Sequence, residues 1–124
     1  MVSSVSIGGL QKKSFNRPDD VHTSPNVRTE TVDLGGVQVA KITFEPGWKS
    51  KHDKSSEGSE SCQLRHFGFQ EKGRLHVVSD DGKEMDIEPG DIVDIPPGHN
   101  GWVVGDEEAV FYDFGQLRRE KKKE

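Results

Sequence analysis

The chain predicts an all-β protein, a single antiparallel barrel or sandwich, on three observations. Turn formers recur every six to twelve residues, short apolar alternations fill the intervals, and no segment sustains a 3.6-residue period. Fourteen glycines and six prolines in 124 residues fit many turns and short strands better than long helices.

In chain order, residues 1–30 are polar and broken by Gly8-Gly9, Arg17-Pro18-Asp19-Asp20 and Ser24-Pro25-Asn26. They read as a flexible arm with at most a short strand around Gln11–Phe15. Thr31–Leu34 and Val37–Phe44 then form two strands across a Gly35-Gly36 hairpin turn. Glu45-Pro46-Gly47-Trp48 is a turn, and 49–61 is a charged, serine-rich loop without an apolar side chain. Strands follow at Cys62–Gln70 and Arg74–Ser79, separated by a turn at Glu71-Lys72-Gly73. The Asp80-Asp81-Gly82-Lys83 hairpin leads into Glu84–Glu88, with Met85 and Ile87 inward. Pro89-Gly90-Asp91 turns the chain into a five-residue strand, and Pro96-Pro97-Gly98 turns it again to deliver His99. Gly101–Val104 and Ala109–Phe114 complete seven or eight strands, leaving 115–124 as a basic tail.

Charge and cysteine content narrow the function. The net charge is −5, and the last eight residues carry five basic against two acidic side chains, so everything before them sums to −8. That balance excludes nucleic acid as the main partner, because phosphate binding needs a basic face. Cys62 is the only cysteine, which rules out an intramolecular disulfide and fits a reducing compartment. Met1–Leu10 has no basic segment leading into an apolar run, and nothing approaches the ~18 apolar residues of a membrane span. A cytoplasmic protein with no membrane partner is the expectation.

The spacing Gly90-x5-Pro96-x-Gly98, preceded by Pro89 and followed by His99, resembles the second sequence motif of the cupins, a family of small jelly-roll barrels. That motif continues with two residues and then a histidine; here His99 follows Gly98 directly and Gly101 takes the later position. The first cupin motif is matched more loosely. Gly73 stands at its terminal glycine, and six residues before it His66 stands where cupins place a metal-binding glutamate. Cys62 and Glu60 occupy the places of the two histidines, and Pro46-Gly47 matches the start, about seven residues too far away. The resemblance covers residues 31–114 and implies a single cupin barrel there. It also implies a homodimer, in keeping with the need to cover open sheet edges.

The candidate metal ligands are His66, His99, His52 and Cys62. His66 has the strand parity of Cys62, Leu64 and Gly68, and Gly68 beside it leaves room for a bound group. His76 alternates with Leu75 and Val77 and so faces outward, while His22 lies in the polar arm. In an unbroken strand Cys62 and His66 would lie ~13 Å apart, too far to share an ion, so they meet only where the chain bends near Gln63-Leu64. Cys62 otherwise reads as a small buried apolar residue. Trp48 and Trp102 follow turns and suit either the barrel mouth or the core. Nitrogen donors with an optional thiolate suit a divalent transition metal, Zn, Fe, Ni or Cu, over magnesium or calcium. Such a site fits a metal-dependent enzyme acting on a small polar or carboxylate molecule; the alternative is a module that binds or senses a small ligand without turnover.

Overall fold

The computed structural model describes residues 9–50, 62 and 64–114. Nine strands are seen among them: β1 (Asp20–Ser24), β2 (Val27–Leu34), β3 (Val37–Phe44), β4 (His66–Lys72), β5 (Arg74–Ser79), β6 (Glu84–Ile87), β7 (Ile92–Ile95), β8 (His99–Val104) and β9 (Ala109–Asp113). They form a six-stranded sheet in the order β1-β2-β3-β9-β4-β7 and a three-stranded sheet in the order β6-β5-β8. Every pairing is antiparallel. No helix among the described residues is long and apolar enough to cross a membrane.

The core lies between the two sheets. Leu75, Ile87, Ile95, Val103 and Ala109 are buried together, with Phe44, Trp48, Val77 and Val93 packed against them. Each large aliphatic side chain buried there contributes about 1.5–3 kcal/mol. The expected alternation holds on β5, where Leu75 and Val77 face inward. Met85 shares the inner face with Ile87 yet is 39% exposed, whereas Ile87 is fully covered. Trp48 stacks on Phe44 at 4.4 Å, in the core. Trp102 lies on the outer face against His76, at a ring distance of 5.0 Å.

The sheet begins at Asp20, ahead of the expected boundary at Thr31, and Gln11–Phe15 forms no strand. Pro25 and Asn26 explain the difference. Proline presets the first turn position, and Asn26, at φ 65°, takes the left-handed position that follows, so the dipeptide closes a β1–β2 hairpin. All five residues of β1 are exposed, so the strand has no buried face to produce an alternation. The expected Cys62–Gln70 strand is also shorter, starting at His66; Cys62 pairs separately with His99. The basic tail at 115–124 lies outside the described residues.

Gly68 sits at the tightest contact between strands. Paired opposite Asp113 on β9, it would, with a Cβ, overlap the Tyr112 carbonyl oxygen and stand 2.7 Å from Phe111 Cζ. The space beside His66 that the sequence suggested for a bound group is therefore filled by β9.

Candidate metal centre

Two turns and one bridge assemble the site. Gly98, at φ 92°, completes the Pro96-Pro97-Gly98 turn and starts β8 with His99 pointing inward, 7% exposed. Cys62 is fastened to the same turn by its backbone: its N–H donates to the His99 carbonyl at 2.7 Å, and its carbonyl accepts from the Gly98 N–H at 2.7 Å. His66, the first residue of β4, follows four positions later. Leu64 and Arg65 before it lie outside the strand, and Cys62 Sγ stands 3.8 Å from His66 Nε2.

Both imidazoles are held from behind. His99 Nδ1 lies 2.9 Å from the Pro96 carbonyl oxygen, which can only accept, so Nδ1 donates to it and Nε2 is the ring nitrogen left for the centre. His66 Nδ1 lies 2.7 Å from Asp113 Oδ2 and donates to it. Asp113, at the end of β9, is 5% exposed. The two rings meet edge to face at 5.2 Å.

One ligand atom from each of Cys62, His66 and His99 lies within 4.8 Å of the other two. Donors sharing a tetrahedral ion at 2.0–2.3 Å stand about 3.3–3.8 Å apart, so the cluster is slightly wider than a bound set. Two nitrogens and a sulfur fit zinc, iron, nickel or copper and do not fit magnesium or calcium. Imidazoles oriented through Nδ1 by a carboxylate and a backbone carbonyl match the outer support that metal-binding histidines carry.

The electrostatics favour a thiolate. Burial acts to raise the Cys62 thiol, but hydrogen bonds from His66, His99 and the Leu64 backbone, with the charge of His99, pull it down to about 5. Burial likewise acts to lower His66, and the bonds to Asp113 and Cys62 outweigh it, pushing the imidazole up to about 9. In metal-free protein, alkylation of Cys62 by iodoacetamide is therefore expected to follow a titration centred near pH 5, because only the thiolate reacts. A rate still rising through pH 8.5, as an ordinary thiol's does, would contradict this pairing.

Of the four ligands expected from sequence, the structure gathers Cys62, His66 and His99, while His52 lies outside the described residues. His76 faces outward, its Nδ1 2.6 Å from Asp86 and its Nε2 2.8 Å from Glu84. Arg65 also turns away from the centre, to Asp94. Asp113 escaped the sequence reading. Its signal is a carboxylate sharing strand parity with Ala109 and Phe111, both core residues.

No protein-family profile matches the chain, and no curated protein does. Solved structures do. A Cupin 2 conserved barrel domain protein from Salinispora arenicola is 19% identical with a TM-score of 0.60, the match covering 86% of this chain and 87% of that one. The polyketide cyclase RemF from Streptomyces resistomycificus is 13% identical with a TM-score of 0.61, covering 85% and 78%. A cupin-superfamily sugar phosphate isomerase from Silicibacter pomeroyi is 21% identical with a TM-score of 0.59, covering 83% and 73%. The fold of this chain is the cupin barrel.

Proposed function

We propose that this cupin-fold barrel holds a divalent transition metal on Cys62, His66 and His99 and works as a metal-dependent enzyme on a small polar or carboxylate molecule. One observation carries the reading: two imidazoles, each fixed through Nδ1 by an inward acceptor, present Nε2 toward a single thiolate. Three protein ligands leave a coordination position for water or substrate, as catalytic sites require. The chemistry such an ion supplies is Lewis acidity toward a bound oxygen or the activation of water. Asp113 and the Pro96 carbonyl hold the two rings in register meanwhile. Among the structural neighbours, a cyclase and an isomerase show that this fold serves small-molecule chemistry.

A binding or sensing module without turnover is the second reading. It is favoured by the engagement of two carboxylates near the site: Asp94 with Arg65, and Glu84 with His76. Neither is placed to move a substrate proton.

Elemental analysis of the purified protein, before and after chelation and reloading, tests the metal. A stoichiometric first-row ion that Cys62→Ser, His66→Ala and His99→Ala each diminish is the expected result. Failure of the folded protein to take up Zn²⁺ or Co²⁺ would overturn the proposal. Turnover of a small substrate by the loaded protein would then separate enzyme from sensor.

A further inference from the structure

A cleft of about 600 Å³ ends at His99, a volume that suits a small-molecule ligand. From it we infer that the molecule this barrel takes has an apolar body of at least one ring and a single polar head. The head meets the candidate centre at His99, and the body lies between β6 and β7. The inference rests on the proposed metal site and narrows its substrate class.

The position of the cleft follows from the topology. β6 and β7 are edge strands of different sheets, and the cleft is bordered by residues of both. Its walls include Val77, Met85, Ile95 and Pro96. Met85 is the informative one. It pairs with Val77 across the hairpin, on the inner face, yet stays 39% exposed because it borders the cleft instead of the closed core. A flexible thioether there can mould itself to a ring.

The charged residues along the cleft do not give it a polar interior. Asp94 is held by Arg65 through two hydrogen bonds at 2.7 Å, and Glu84 is held by His76 at 2.8 Å on the outer face. Asp80, Asp81 and Lys83 belong to the β5–β6 turn, where Asp81 accepts from the Ser79 hydroxyl and the Lys83 N–H. Polar recognition is thus gathered at one end of the cleft, where Ser79 pairs with His99 and the Asp80 N–H donates to the Gly98 carbonyl. A sugar, with hydroxyls on every side, would set several of them against Val77, Met85 and Ile95 without partners. A ring carrying one oxygen-donor head satisfies both parts of the cleft.

Two hydroxamates test this on the cobalt-loaded protein. Benzohydroxamate and acetohydroxamate share a chelating head and differ in the ring. Benzohydroxamate is expected to bind roughly tenfold or more tightly. Met85→Glu and Met85→Gln, both at an exposed position, should erase that advantage and leave acetohydroxamate binding unchanged. In a metal-free arm, benzyl alcohol should shift the methyl resonances of Met85 and Ile95. Equal affinities for the two hydroxamates, or no methyl shifts, would overturn the inference. Acetohydroxamate binding retained in that case leaves the metal site standing. Methyl shifts without cobalt uptake would support the apolar cleft and sink the metal site alone.

Discussion

His66→Ala is expected to leave the barrel folded while stripping most of the bound metal, and His76→Ala to leave metal content unchanged. His66 supplies one of three clustered donors, with its ring aimed by Asp113. Loss of an outer partner alone costs about 10–100-fold in metal affinity, so loss of the donor itself should cost more. Asp113→Asn is expected in that smaller range. His66→Ala also takes from buried Asp113 its imidazole partner, a loss of about 1–3 kcal/mol that should lower the melting temperature without unfolding the chain. His76 works elsewhere, in exposed contacts with Asp86 and Glu84 that contribute little to stability. Elemental analysis with a thermal melt of each variant reads the outcome. Equal metal in wild type and folded His66→Ala would dismiss the site.

Gly68→Ala is expected to destabilise the barrel by about 3 kcal/mol or more, the range of severe overpacking. The added methyl would run into the Tyr112 carbonyl oxygen and the Phe111 ring. Relief would require β4 and β9 to part, and these strands carry the two members of the His66–Asp113 pair. A melting temperature roughly 10 °C or more below wild type is the expected reading. A variant melting within a couple of degrees of wild type would mean that the two strands stand farther apart than described.

The strands from Thr31 onward were legible because each has a buried face or a turn with a distinctive residue, as at Gly35-Gly36, Asp81-Gly82 and Pro89-Gly90. β1 was not, since a strand exposed along its whole length leaves no apolar rhythm. The outward setting of His76 followed from alternation alone. The contact of Cys62 with His66 could be stated only as a condition, because strand geometry forbids it unless the chain bends. The Cys62–His99 bridge, a pairing distant in sequence, is where that condition is met. Asp113 and the filled space beside Gly68 were hidden for the same reason: both depend on which strand lies next to β4, and local sequence does not encode that neighbour.

The fastening of the chain to β8 has a consequence for chain length. Ser50 donates its N–H to the Gly101 carbonyl, and Cys62 bridges His99 two positions away on the same strand, so both ends of the intervening segment are pinned side by side. The place of Cys62 beside His99 is thus set by its own backbone pairing with β8. Going from the five residues of the cupin pattern to the twelve found between Gly47 and Glu60 is little more than a doubling. In a flexible loop such a doubling costs about 0.6 kcal/mol. Next to that small entropic cost, it is the two hydrogen bonds to β8 that hold the Cys62 backbone where it is.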